Sequence, residues 1–283
     1  MHIQAWTKLC GFGALLCLAS GTVANAQDSQ LYNTAKQKLL DGGEIIGGTV
    51  TVADPSIYCA MANSGYDFLW IEMQHSPMTY QEVARMIWAC RDAPAIPFVR
   101  VPDATAGDIQ KATDIGALGI IIPLVDSTEK IRNAVRFANF PPAGIRSLGG
   151  GQYRALWGND YRETANDNIL IVAMIESPVG VEIAAEIAAV PGVDVVMAAS
   201  TDLASFSGFR QGDREYEAMV SRIHDATLAA GLKLGGPQAW RGRNGFSFFQ
   251  GPPEGSLIRL GIERSLATQA SGVAPTEGAA QRR

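Results

Sequence analysis

Cysteine is scarce in this chain, histidine is scarcer, and clusters of basic residues are missing. Four cysteines and three histidines stand in 283 residues. No CxxC pair occurs, so a cysteine-built zinc site is excluded. The formal net charge is −5, and no basic block or stripe interleaved with aromatics is present. Nucleic acid is therefore not an expected partner. No GxGxxG turn follows the first strand-like run, which removes the usual dinucleotide fingerprint. Beyond the N-terminal segment, no run is long and apolar enough to cross a membrane. Charged residues are only 18% of the chain against 47% apolar. That balance supports a sizeable core and excludes general disorder.

The N-terminal segment is read separately. Lys8 supplies a short positive region, and Leu9 to Val23 is mostly apolar but short. Ala24-Asn25-Ala26 is a small-x-small cleavage site before Gln27. Residues 1–26 thus read as a secretory signal peptide cut after Ala26, and the expected location is the periplasm or the medium. Removing it takes away Lys8 and no acid, so the mature charge is −6. Cys10 and Cys17 leave with it. Cys59 and Cys90 remain, expected on neighbouring helices. They read as two small buried core residues, with a disulfide as the alternative in an oxidising compartment.

From Leu31 onward, near-continuous apolar runs alternate with amphipathic ones. The runs Ile45–Val52, Phe68–Met73, Ile96–Val101, Gly119–Leu124, Ile169–Ile175, Val193–Ala198, Lys233–Gly236 and Phe246–Phe249 suit strands covered on both faces. Helical spacing separates them, and Thr79 with Glu82 forms a capping box before one helix. Eight strands with intervening helices is the count of a (β/α)8 barrel, with a doubly wound sheet as the competitor. Residues 27–267 are assigned to this domain and 268–283 to a disordered tail. Phe140 to Asn168 and Pro237 to Gly245 read as long loops.

In a barrel, chemistry gathers where strands end. Glu72, Gln74 and His75 end the second strand, Arg100 the third and Glu176 the fifth, while Ser200, Thr201 and Asp202 follow the sixth. Each has a bland reading: a carboxylate can cap the next helix, and an arginine can pair with one at the barrel mouth. Their coincidence on one rim favours function. Two carboxylates without cysteine suit a hard divalent cation such as Mg²⁺ or Mn²⁺. A cation and Arg100 would both stabilise an enolate, and His75 could move the proton.

These residues resemble the HpcH/HpaI aldolase/citrate lyase family. The motifs come in order: Gly65 through Trp70-Ile71-Glu72-Met73-Gln74-His75-Ser76-Pro77, Val99-Arg100-Val101-Pro102, Asp114-Ile115-Gly116-Ala117, Pro141-Pro142-Ala143-Gly144-Ile145-Arg146, Ile175-Glu176-Ser177 and Asp202-Leu203. The resemblance implies a TIM barrel of the phosphoenolpyruvate/pyruvate-domain type. It implies retro-aldol cleavage of a 4-hydroxy-2-keto acid to pyruvate, or a related 2-keto acid, plus an aldehyde. By the same resemblance His75 is the base, Asp114 its partner and Arg100 the enolate stabiliser. Glu176 and Asp202 would hold Mg²⁺, Mn²⁺ or Co²⁺, and Ser200, Thr201 and Asp202 the substrate carboxylate. A homo-oligomer, a hexamer or another dimer-based assembly, is implied too. Gln74 departs from the family's glutamate, Ala199-Ser200-Thr201 from its Gly-Pro-x, and Thr49 and Met174 alter the aldehyde side. Two rival readings stay open: an exported barrel that binds 2-keto acid and metal without turnover, and a lyase for a CoA thioester.

Overall fold

The floor of the barrel is built from phenylalanine set against glycine. Phe68 stacks on Phe98 and on Phe248, with ring centroids 4.6 and 4.8 Å apart. All three are fully buried. Such stacked pairs contribute about 0.5–1.5 kcal/mol beyond the burial of their area. The neighbouring strands make room for the rings. A Cβ added at Gly47 would lie 2.1 Å from the Phe68 ring, and one at Gly119 would lie 2.0 Å from Phe98. Only glycine fits at these two inward positions.

The computed structural model describes residue 2 and residues 31–270. The order is α1 (Thr34–Leu40), β1 (Ile45–Val50), α2 (Pro55–Ala62), β2 (Phe68–Glu72), α3 (Tyr80–Ala89), β3 (Ile96–Arg100), α4 (Ala106–Asp114), β4 (Gly119–Ile122), α5 (Thr128–Ala138), α6 (Tyr153–Trp157), α7 (Tyr161–Asn168), β5 (Leu170–Ile175), α8 (Pro178–Glu182), α9 (Ala184–Ala188), β6 (Val195–Ala198), α10 (Ser200–Ser207), α11 (Arg214–Ala229), β7 (Lys233–Pro237), β8 (Phe246–Pro253) and α12 (Glu254–Ala270). The strands close in sequence order, each parallel to its neighbours, and β8 returns to β1. This is the expected (β/α)8 barrel, and each expected strand is present within a few residues of its ends.

The far end of the barrel is sealed by α1. Asn33 Nδ2 donates to the carbonyls of Leu118 and Asn168, and Lys36 Nζ donates to Ile169 O at 2.7 Å. Lys36 also pairs with Asp194 at 3.1 Å. These partners immediately precede β4, β5 and β6, at the N-terminal ends of the strands. The open end is therefore the other one, where the strand-end residues gather.

Three differences from expectation have local causes. The stretch 140–168 is not one loop: α6 and α7 form within it because Tyr153 and Tyr161 stack at 4.4 Å and bury beside Arg146. The helical stretch after β5 is two helices, α8 and α9, because the chain breaks at Ile183, whose φ of −107° and ψ of 20° leave the helical range. Helix α12 runs to Ala270, so the first residues of the expected tail are helical. The rest of that tail and the signal peptide lie outside the described residues, apart from residue 2. The cysteines also need correction. Cys59 and Cys90 are only half-buried and form a disulfide across α2 and α3, with Cα atoms 5.5 Å apart. The core between these helices is filled instead by Met61, Val83 and Met86. That leaves the two sulfurs at its margin, within bonding reach.

Candidate active site

Glu72 ends β2 with an inward side chain that is 3% exposed, and four groups converge on it. Its Oε1 accepts the backbone N–H groups of Gln74 and His75, at 2.8 and 3.0 Å. Those two bonds fold the chain back at once and stand His75 on the rim. Its Oε2 accepts Trp70 Nε1 at 3.1 Å and Arg100 Nε at 2.5 Å, with Arg100 Nη2 also at 2.5 Å. The guanidinium further lies over the Trp70 ring, 5.6 Å from its centroid. Arg100 Nη1 has no partner among the described residues. Glu72 was legible only as one more rim acid; its role as the anchor of both Arg100 and the His75 turn follows from the geometry.

Glu176 follows β5 and is 1% exposed. Its Oε2 accepts a short hydrogen bond from the backbone N–H of Leu124, while its Oε1 is buried with no partner. Burial pushes its carboxyl up to about 7, and the nearby Asp202 charge adds to this; the Leu124 N–H and Arg100 oppose it. Leu124 itself has φ +48°, unique among the described non-glycine residues. A bulky residue held in that left-handed region costs on the order of 1–3 kcal/mol and is typical of functional sites. Nothing in the sequence flagged Leu124.

β6 leads into α10, which starts at Ser200 with no side-chain cap on its first turn. Its opening N–H groups are therefore free to receive an anion, and Asp202 sits in the same turn. Tyr216 Oη braces this turn by donating to Ser200 O at 3.0 Å.

His75, Arg100, Glu176, Ser200, Thr201 and Asp202 all line one cavity of about 340 Å³ at the mouth. Met174 and Met197 line its wall, and Gln250 from β8, which no sequence signal singled out, completes it. Asp114 is the exception. The β3–α4 loop lies at the mouth and α4 runs away from it, so Asp114, the last residue of α4, stands towards the opposite end. There it pairs with Arg146 Nη2 at 2.9 Å and accepts from Gln110 Nε2 at 2.7 Å. The expected bond from Asp114 to His75 is not formed within one chain. Arg146 is itself buried, with its guanidinium against the rings of Phe140, Tyr153 and Tyr161. The PPxGxR segment is thus a latch for α4 as well as a loop.

The donor set fits a hard divalent cation. Glu176 offers a buried oxygen without a partner, and Asp202 faces it closely enough to raise its carboxyl. Among the described residues no group of three or more His, Cys, Asp or Glu is arranged to hold a metal ion. The protein would therefore supply two carboxylates and leave the remaining positions to substrate and water. Gln74 Oε1, next to His75 in the chain, is also buried and unpartnered.

Comparison with known proteins adds a family. The HpcH/HpaI aldolase/citrate lyase model matches residues 50–235. A hydroxypyruvate/pyruvate aldolase of Roseovarius nubinhibens is 34% identical over 197 residues, covering 69% of this chain and 76% of that protein. A 2-keto-3-deoxy-L-rhamnonate aldolase of Klebsiella pneumoniae is 31% identical over 257 residues, covering 85% and 91%. The crystal structure of an HpcH/HpaI aldolase/citrate lyase family protein from Burkholderia cenocepacia superposes with a TM-score of 0.77 at 29% identity, covering 84% of this chain and 99% of that one.

Proposed function

This chain belongs to the HpcH/HpaI aldolase/citrate lyase family and is an aldolase-type lyase, and from that premise we propose that it cleaves 4-hydroxy-2-keto acids to pyruvate, or a related 2-keto acid, and an aldehyde. The observation that carries this reading is the unpartnered, buried Glu176 Oε1 facing Asp202 in a cavity shared with Arg100 and His75. Glu176 and Asp202 would hold Mg²⁺, Mn²⁺ or Co²⁺, which when bound supplies Lewis-acid polarisation of the keto group.

The chain's own groups do the rest. The open N–H groups of α10 at Ser200 and Thr201 receive the substrate carboxylate. Arg100, held rigid by Glu72, directs its free Nη1 at the oxygen where enolate charge develops. His75 takes the proton of the 4-hydroxyl as the carbon–carbon bond breaks. The test is pyruvate release from 4-hydroxy-2-keto acids by folded protein with each metal added. Release that depends on metal is expected, and no release with any of the three removes the reading.

The reading includes export and self-association. The Cys59–Cys90 disulfide supports an oxidising compartment. Helix α12 exposes Ile258, Ile262 and Leu266, spaced i, i+4 and i+8 on one face, and this apolar stripe supports a homo-oligomer. An Asp114 that serves His75 must then come from a second copy, since within one chain it stands elsewhere. Mixing His75→Ala with Asp114→Ala, each inactive alone, should restore about a quarter of the activity, because half the dimers formed at random carry one intact site of two. Full activity of Asp114→Ala alone would remove Asp114 from the chemistry.

A further inference from the structure

The barrel mouth holds two lobes. Beside the cavity of Glu176 and Asp202 lies a second one of about 530 Å³ on the β8–β1 side. His75, Arg100, Pro237 and Gln250 line both. The proton-moving and charge-bearing side chains thus form the wall between them. We propose that the second lobe receives the aldehyde and selects a neutral, largely apolar aldehyde over anionic or polyhydroxylated ones. This rests on the enolate reading above and names the substrate class on its other side.

The lining argues the chemistry. Pro252, Pro253, Pro237 and Ala239 give the lobe an apolar wall. Its polar side chains are largely spent. Thr49 Oγ1 donates to Gly251 O at 2.8 Å, and Thr51 donates its hydroxyl and its N–H to Glu254. Glu72 is saturated by Trp70, Arg100 and two backbone N–H groups. Arg100 is the only permanent cation among the described residues lining the lobe, and two of its nitrogens are taken by Glu72. An aldehyde bearing a carboxylate or phosphate would find no cation besides Arg100, whose remaining Nη1 serves the enolate oxygen, and would approach the buried Glu72 carboxylate. Besides His75, which serves the carbonyl oxygen, a polyhydroxylated aldehyde would find only the amides of Gln238 and Gln250, and the latter already reaches Thr49 Oγ1 at 3.4 Å. An apolar one is favoured by area alone. The volume suits it, since a cavity of about 150 Å³ already accommodates benzene.

The step balances without a further reactant. In the synthetic direction the enolate carbon attacks the aldehyde carbon, one carbon–carbon bond forms, and the carbonyl π bond breaks. The resulting oxygen takes a proton from His75. Nothing is oxidised or reduced.

The test compares kcat/KM of the full chain, with pyruvate and Mn²⁺, for benzaldehyde, glyceraldehyde and 4-oxobutanoate. Exchange of the pyruvate methyl hydrogens for deuterium, without aldehyde, reports the enolate lobe alone. Benzaldehyde should exceed each of the others by about tenfold or more. Ala239→Lys should shift the ratio of 4-oxobutanoate to benzaldehyde upward by about tenfold, because it adds the missing cation. Equal or better use of 4-oxobutanoate or glyceraldehyde by the unmodified protein, with exchange proceeding, overturns the inference. An unshifted ratio in a folded Ala239→Lys protein also counts against it. Absence of exchange overturns the enolate reading and this inference with it.

Discussion

Glu176→Gln should lower metal-dependent pyruvate release by at least about a hundredfold, since even groups that only support a metal ligand cost 10–100-fold when lost. The same substitution should make the metal-free protein more stable. Glu176 is 1% exposed, its Oε1 has no partner, and the Asp202 charge lies nearby. An ionised carboxylate in that setting is a liability without a cation. A glutamine keeps the bond from the Leu124 N–H through its carbonyl oxygen and turns its NH₂ towards the Asp202 charge. The gain is on the order of 1–3 kcal/mol, or a few degrees in Tm for a chain of this size. Binding linkage gives a second readout: Mn²⁺ at about 100 times its Kd should stabilise the unmodified protein by about 2.7 kcal/mol. The variant should show almost none of that shift. Pyruvate release at the wild-type rate, or an unchanged Mn²⁺ shift, would remove Glu176 from the metal site.

What the sequence made legible follows from which forces act locally. The strands were readable because both faces of each are covered, so apolar residues run on without a break through segments such as Gly119–Ile122 and Leu170–Ile175. The rim was readable because parallel strands end on one face, which puts Arg100, Glu176 and Asp202 together whatever their separation in sequence. The motif pairs Asp114 with His75, and topology excludes that pairing within one chain: the last residue of a helix that follows a strand lies at the barrel's other end. The disulfide stood only as the alternative, for a different reason. Whether Cys59 and Cys90 bury or pair depends on which faces α2 and α3 present to each other, and that is set by packing. Leu124 and Gln250 carried no signal, because their roles come from backbone conformation and from closure of β8 on β1.

Arg100→Met should destabilise the protein by about 3–5 kcal/mol, the usual cost of stripping the partner from a buried charge. Arg100 is 8% exposed and Glu72 3%, so solvent cannot replace the lost contact. Glu72→Gln should also destabilise, because its amide NH₂ would then face the donors of Arg100 and Trp70. The double variant should be more stable than the sum of the two losses allows, with a coupling of about 2 kcal/mol or more. Recovery stays incomplete, since a glutamine has one acceptor oxygen where Glu72 uses one for Trp70 Nε1 and the other for the Gln74 and His75 N–H groups. Activity should follow a different rule. Any variant lacking Arg100 loses the charge directed at the enolate oxygen, a loss of about 10²–10³ in kcat, as for removal of an oxyanion donor. Stability therefore returns in the double variant while catalysis does not. Urea unfolding of the four proteins, with pyruvate release measured on each, separates the two effects. Additive stability losses would show that the pair is not coupled, and a double variant with restored turnover would show that Arg100 serves the fold and not the reaction.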